Sequence, residues 1–282
     1  MSAGRSLLPG RWPEGANFAV AISVDLDHET PWEGHGEVSP QYLSAAEYGT
    51  RRGLTRILDA LDEEGVPASF FVPAVAVRRY PEEIADVMTL GHEVALHGLR
   101  HERPWTLAGS REAETLYEAY DIFGIETGRR PRGYRAPSLD PSTATLPLLE
   151  ELAFLYDSSL MSDDDPYELM VHGETSQVVE IPVEWTRDDA TYFLMDRWSS
   201  LRPTMSLDEV SCIWRADWHR ARSEGGLFQL TLHPDIIGHR SRIEVLATLL
   251  KEIRTEATCW FATHEAVALH CIKEGNNDSR SH

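Results

Sequence analysis

Two aspartates, Asp25 and Asp27, follow an apolar run near the start of the sequence and are separated by a single leucine (SVDLDHE). Alternate residues of a strand point to the same face, so both carboxylates are expected on one side and Leu26 on the other. Two carboxylates on one apolar face repel each other and lose hydration unless a cation or hydrogen-bond donors offset the cost. The pair therefore indicates a cation or donor site, or else a hydrated strand end or a carboxylate that caps the next helix.

A pair of histidines, His97 and His101, lies further along the chain in the segment ALHGLRH. On one helical turn an i,i+4 spacing places both imidazoles on one side, where they can reach a single ion. Such pairs also occur by chance on surfaces, but next to a short apolar strand and a carboxylate pair they predict a His/His/Asp site. Three protein ligands that leave positions open for water are typical of catalytic rather than structural zinc sites.

Two further ionisable residues, Arg135 (RGYRAP) and His233 (LTLHP), each end an apolar segment. An arginine at an apolar strand end needs an anion, and a bidentate pair with Asp25 would provide one. The alternative is a surface arginine that follows Tyr134. His233 is as consistent with a core histidine as with a proton donor.

Other residues that could contribute to a site give weaker signals. His28 lies beside Asp27 and is expected to shape a loop or to support the site. Trp32, Trp105 and Trp185 could form the walls of a substrate pocket, although burial in a core is the commoner fate of tryptophan. The sequence contains neither a GxSxG nor an HExxH motif, which excludes two common hydrolase templates.

The composition narrows the class of protein. The chain has 282 residues, 42% of them hydrophobic, and a formal net charge of -20. Such a charge repels phosphate backbones and anionic lipids, so neither a nucleic-acid nor a membrane partner is expected. The three cysteines (Cys212, Cys259 and Cys271) form no CxxC pair and no disulfide framework. No apolar segment of signal-peptide length occurs in MSAGRSLLPGRWPEG, so a cytoplasmic location is expected.

Apolar strand-like runs alternate with helical patterns along the chain, in about seven or eight β/α units. Strands are predicted at 18–26, 68–72, 93–96, 132–135, 154–156, 178–183, 227–232 and 260–262. Longer helices are predicted near 47–64, 110–123, 142–152 and 207–223. This alternation favours an α/β fold with a parallel sheet, and without a GxGxxG motif a distorted barrel is preferred to an open nucleotide-binding sheet. One domain is expected at 18–272, with an N-terminal extension at 1–17 and a flexible tail at 273–282.

The carboxyl ends of barrel strands converge on one face, so the ionisable residues above are expected to share one site. Together with YDSS (156–159), the segments SVDLD, HGLRH, RGYRAP and LTLHP occur in an order and spacing that resemble the polysaccharide deacetylase family. The resemblance extends from about residue 18 to residue 265. Within the family, the Asp-x-Asp motif and HPDIIGHRSR (233–242) resemble the branch that contains cyclic imide hydrolases, metal-free allantoinases and peptidoglycan-deacetylase-like proteins.

The resemblance implies a role for each of these side chains. It implies that Asp27, His97 and His101 hold a divalent metal, usually zinc. It also implies that Asp25 is the general base, that Arg135 holds this base, and that His233 protonates the leaving nitrogen. The implied fold is a distorted (β/α)7 barrel, and the implied assembly is a homo-oligomer, a tetramer or a dimer. Most of the family has adjacent aspartates, whereas Leu26 separates them here.

Three functions are compatible with these residues. The first is the opening of a small cyclic imide or ureide, and the second is N-deacetylation of an amino sugar or a peptidoglycan-type glycan. The expected cytoplasmic location favours the first, a small-molecule substrate, because a cytoplasmic enzyme does not easily meet cell-wall polymer. The third is a non-catalytic ligand-binding barrel, which the intact set of six side chains argues against. The chain retains the metal ligands that the metal-free allantoinases have lost, so a metal-free enzyme is not expected.

Overall fold

The structure is a computed structural model that describes residues 2–34, 39–107, 109–171, 173–195, 205–256 and 258–278. Its strands are β1 (Ser2–Ser6), β2 (Phe18–Asp25), β3 (Ala68–Val72), β4 (Glu93–Leu96), β5 (Gly133–Tyr134), β6 (Tyr156–Asp157), β7 (Tyr167–Val171), β8 (Glu174–Glu180), β9 (Leu227–Leu232) and β10 (Cys259–Phe261). Its α-helices are α1 (Thr30–Gly34), α2 (Pro40–Tyr48), α3 (Leu54–Glu63), α4 (Ala74–Arg79), α5 (Pro81–Thr89), α6 (Gly109–Thr127), α7 (Thr145–Glu151), α8 (Asp189–Phe193), α9 (Leu207–Glu224), α10 (Ile243–Glu256) and α11 (His264–Asp278). No helix within these ranges is both long and apolar enough to span a bilayer.

Seven of the eight parallel strands in the described ranges form the wall of a curled sheet, in the order β9, β2, β3, β4, β5, β6 and β8, and the eighth, β10, also pairs with β2. Within the described ranges, β8 and β9 do not pair with each other. The gap between them is crossed by one isolated parallel bridge, between Asp188 and Thr231. The expected distorted (β/α)7 barrel in a single domain is therefore confirmed, with a partly open seam beside β9.

Strand β2 is an interior strand of the sheet, one strand away from the open seam. Its residues alternate between an outer layer against the helices and the interior of the barrel. Val24 belongs to the outer core and Ala21 to the inner one. Strand β9 pairs with β2 from Ala19 to Val24, while β10 and then β3 occupy successive halves of its other edge. The strand that ends in Asp25 is therefore held on both sides.

Both ends of the chain carry regular secondary structure. Strand β1 pairs antiparallel with β7, which itself pairs antiparallel with β8, so the N-terminal segment extends the sheet. All five residues of β1 are exposed, and a strand without a buried face leaves no periodic apolar pattern in the sequence. At the other end α11 continues to Asp278. Residues 279–282 of the expected tail lie outside the described residues.

Candidate active site

Asp25, Asp27, His97 and His101 converge at the carboxyl end of β2 and β4. His97 Nε2 lies 3.5 Å from Asp27 Oδ1, and His101 Nε2 lies 3.5 Å from Asp27 Oδ2. Asp25 Oδ2 lies 3.9 Å from His97 Nε2. The structure therefore brings together the two aspartates and two histidines that the sequence singles out.

The two histidines lie on a tight turn after β4, so the expected helical turn is wrong. Gly98 and His101 have positive φ angles of 70° and 61°, and these reversals turn both imidazoles toward Asp27. A side chain at Gly98 would also place its Cβ 2.8 Å from Pro137 Cγ. The Glu102 carboxylate stabilises the turn by accepting hydrogen bonds from the backbone N–H groups of residues 99 and 100, at 3.0 and 2.6 Å.

The donor atoms of this cluster fit a divalent metal ion. The Nδ1–H of His97 donates to the backbone carbonyl oxygen of Arg135 at 2.8 Å, which leaves the Nε2 lone pair facing Asp27. Asp27 Oδ1 is buried and accepts no hydrogen bond from any residue that the structure describes. Two ligands of a tetrahedral zinc ion, each about 2.0–2.2 Å from the metal, lie roughly 3.3–3.6 Å apart. Both carboxylate–imidazole distances fall in that range.

Arg135 is fully buried and forms an ion pair with Asp25. Its Nη1 donates to Asp25 Oδ1 at 2.6 Å and to Ser23 Oγ at 2.9 Å. Its Nε and Nη2 donate to the carbonyl oxygen and the hydroxyl of Ser158, each at 2.9 Å, and its guanidinium lies over the ring of Phe71. The expected bidentate pair with Asp25 is therefore wrong, because Ser158 occupies the other edge of the guanidinium.

The two aspartates have opposite pKa shifts although they are only two residues apart. Burial disfavours the ionised form of Asp25, but the nearby charges of Arg135, His97 and His233 outweigh it, so the pKa of Asp25 is lowered. Burial also acts on Asp27, and there it dominates, so the pKa of Asp27 is raised. A cation bound at Asp27 would offset this cost, whereas Asp25 is already ionised by its protein neighbours.

His233 lies at the carboxyl end of β9, on the other side of Asp25. Its Nε2 is 3.9 Å from Asp25 Oδ2, and its Nδ1 is 2.7 Å from Asp189 Oδ1. The second oxygen of Asp189 accepts the backbone N–H of His233 at 3.0 Å. Burial alone would lower the pKa of His233, but the charge and hydrogen bond of Asp189, with the charges of Asp188 and Asp25, raise it well above its ordinary value. Asp189 therefore favours the protonated form of His233 and fixes the orientation of its ring.

Asp188 and Asp189 are site residues that the sequence analysis missed. They lie 44 or more residues from His233, so no local spacing connects them to it. A signal existed, since two consecutive carboxylates follow the predicted strand at 178–183 after a short interval. The rule that ionisable residues at strand ends converge would have found them.

The remaining candidates lie around the site rather than in it. The His28 ring stacks on Tyr80, and its Nδ1 is hydrogen-bonded to Thr50 Oγ1 at 2.8 Å, so His28 shapes the loop after Asp27. Trp32 stacks on Tyr42. Trp105 and Trp185 are more than half exposed, on the loops after β4 and β8. Tyr134 is buried in the outer core with Phe154 and is not part of the site.

Comparison with known proteins gives consistent matches over most of the chain. A family model described as polysaccharide deacetylase matches residues 45–156. Peptidoglycan deacetylase of Helicobacter pylori is 27% identical, over 87% of this chain and 94% of its own length. The crystal structure of a candidate polysaccharide deacetylase from Mycobacterium smegmatis is 32% identical and has a TM-score of 0.87, over 97% of this chain and 96% of that one. The structure of PuuE allantoinase, 23% identical, shares the fold with a TM-score of 0.80 over 96% of this chain and 97% of its own.

The barrel and these matches together define a hydrolase of amide C–N bonds. The chain belongs to the polysaccharide deacetylase family.

Proposed function

We propose that this protein is a metal-dependent hydrolase that opens a small cyclic imide or ureide. Asp27, His97 and His101 would hold the metal, most suitably zinc, because one carboxylate and two imidazoles match its usual donors. When bound there, a divalent metal supplies a lowered water pKa and polarisation of the substrate carbonyl. The distances among the three donors support this assignment.

The remaining side chains divide proton transfer between them. Asp25, ionised by Arg135, accepts the proton of the attacking water as general base. His233 donates a proton to the nitrogen as the C–N bond breaks, and Asp189 keeps the imidazole charged and oriented. Asp25 Oδ2 lies 3.9 Å from both His97 Nε2 and His233 Nε2, between the proposed metal site and the proton donor.

The burial of the site is the observation that favours a small substrate. The exposed fractions of the six side chains are 0% for Arg135, 1% for His97, 5% for Asp25, 9% for His101, 14% for Asp27 and 15% for His233. A small planar ring needs only a narrow opening to reach largely buried groups, whereas a glycan chain needs an open groove along its length. This favours the imide or ureide.

N-deacetylation of an amino sugar is the second candidate. It is supported by the similarity to peptidoglycan deacetylase of Helicobacter pylori. It is also supported by Trp185, which is 53% exposed on the loop that leads to Asp188 and could stack on a sugar ring.

A substrate panel with metal analysis tests the proposal. We expect protein purified without chelators to carry about one zinc or similar ion per chain, as three clustered donors imply. We expect succinimide or hydantoin to be opened faster than chitooligosaccharides are deacetylated, measured as kcat/KM. The reverse ranking would favour the deacetylase. If the purified protein contains no metal and gains no activity when metal is added, the non-catalytic barrel is favoured instead.

The Asp189→Asn variant tests the role of His233. Removing the charge beside Nδ1 is expected to lower the pKa of His233, because Asp189 is the largest of the contributions that raise it. His233 must be protonated to donate, so the fall in rate at high pH should move to lower pH. The pH profile of kcat/KM measures this shift, with Asp140→Asn, a half-exposed aspartate paired with Arg103, as the matched control. An unmoved profile would remove His233 from the mechanism.

A further inference from the structure

The segment that follows His233 packs against a single turn from an earlier part of the chain. Residues Gly49–Gly53 form a π-helical turn between α2 and α3. A methyl group built on Gly53 would overlap the carbonyl oxygen of Pro234 and lie 2.6 Å from its carbonyl carbon. One built on Gly49 would lie 3.2 Å from the backbone nitrogen of Asp235. The turn therefore meets the backbone directly after His233, and at Gly53 only glycine fits.

The same contact includes Gly238 in the segment HPDIIGHRSR. A methyl group on Gly238 would overlap both Gly53 Cα and the carbonyl oxygen of Pro234. Arg56 Nη1 donates to the carbonyl oxygen of Gly238 at 2.7 Å and to the Tyr48 hydroxyl at 2.6 Å. Interlocking backbones held by a guanidinium leave the loop after His233 little room to move.

The turn is also connected to the proposed metal ligands. Thr50 Oγ1 lies 2.8 Å from His28 Nδ1, within hydrogen-bond distance, and His28 directly follows Asp27. A single structural element thus contacts the loop of one metal ligand and the loop of the proton donor. π-Helical turns are rare and occur frequently at functional sites, because the extra residue shifts the side chains and backbone that follow.

We propose that the turn Gly49–Gly53 sets the position of His233 relative to the metal ligands, with Gly53 and Gly49 as positioning residues that act through Pro234 and Asp235. This inference rests on the proposed function, since it assumes that His233 protonates the leaving nitrogen. It gives a positioning role to Gly49 and Gly53, which take no direct part in proton transfer.

The prediction compares substrates whose leaving groups differ in whether they must be protonated to leave. An amide or imide nitrogen must be protonated to leave, whereas the phenolate of 4-nitrophenyl acetate leaves without a proton. Displacement of His233 should slow only the first kind, and a misplacement of about 1 Å can cost about 10²-fold in rate. We expect Gly53→Ala to lower the ratio of amide to ester hydrolysis by about tenfold or more. We expect Gly49→Ala, with its milder clash, to lower the same ratio by a smaller factor.

The experiment compares wild type, Gly49→Ala, Gly53→Ala, His233→Ala and the control Gly10→Ala, where an added methyl group meets nothing within 4 Å. Each variant is assayed on 4-nitrophenyl acetate and on whichever of succinimide, hydantoin and chitotetraose the wild type hydrolyses fastest. Metal content and thermal unfolding are measured for all five. If Gly53→Ala does not fold, Gly49→Ala carries the test, because its nearest contact of 3.2 Å needs only a small shift.

The outcomes separate this inference from the proposed function. Loss of amide hydrolysis with retained ester hydrolysis and metal, in every glycine variant of the turn that folds and in His233→Ala, supports it. If His233→Ala shows this signature and the glycine variants do not, or if they lose both activities equally, the inference is overturned and the proposed function stands. If His233→Ala leaves the ratio unchanged, or wild type hydrolyses none of the substrates, the proposed function fails and the inference fails with it.

Discussion

Replacing His97 by alanine is expected to abolish metal binding and to reduce hydrolysis by about 10³-fold or more, because a catalytic metal supplies several kcal/mol of transition-state stabilisation. The Nε2 of His97 faces the cluster, and its Nδ1–H donates to the carbonyl oxygen of Arg135. Alanine therefore removes both the proposed metal ligand and the hydrogen bond that orients it. Asp27 and His101 alone would leave a two-donor site. Elemental analysis of dialysed protein and kcat/KM on the best substrate measure the two effects.

The matched control for this variant is His219→Ala. His219 is an exposed histidine on α9, and among the described residues it belongs to neither group of side chains that could hold a metal. The control should retain both metal and activity, whereas a His97→Ala protein that keeps stoichiometric metal would contradict the assigned ligands.

Replacing Asp25 by asparagine is expected to preserve the metal and reduce turnover by about 10²–10⁴-fold, the usual contribution of general acid–base catalysis. Asparagine keeps the shape of the side chain and an oxygen for Arg135, but it cannot accept the proton of water. The change also leaves the fully buried Arg135 without its counter-charge, so the free energy of unfolding should fall. Rates are therefore normalised to folded, metal-loaded protein.

The contrast with Asp27→Asn separates the two aspartates. We expect Asp27→Asn to lose both metal and turnover, because asparagine removes the charge on the carboxylate that lies 3.5 Å from each histidine. Equal metal loss in the two variants would show that both aspartates are ligands. An active Asp25→Asn would assign the base to another group.

Much of the barrel could be predicted from local patterns. The strand predicted at 227–232 is β9, and the strand predicted at 93–96 is β4, because buried parallel strands are short continuous apolar runs. The hairpin of β7 and β8 and the pairing of β1 could not be predicted in the same way. Strand β1 is exposed throughout, the first half of β8 is mostly exposed, and β7 has only two buried residues out of five, so their sequences carry little hydrophobic pattern.

For the candidate site, the identity of most residues could be predicted from the sequence, but their geometry could not. Strand-end positions were sufficient to select Asp25 and His97, because parallel strands bring their carboxyl ends together. The backbone of the histidine turn was not predictable from spacing, since it depends on positive φ angles at Gly98 and His101. The place of Asp189 in the site was also not predicted, because its contact with His233 depends on how the loop after β8 crosses the seam of the barrel.

The pairing of β2 along both edges links the candidate site to the stability of the fold. Neighbouring strands cover both edges of this strand, so Asp25 cannot leave its place through the fraying of one peripheral element. We expect the side chain to become mobile only when the strands paired with β2 separate from it. A substitution that weakens the apolar core away from the site should therefore reduce the fraction of folded, active protein at a given temperature. The kcat of the protein that remains folded should not change.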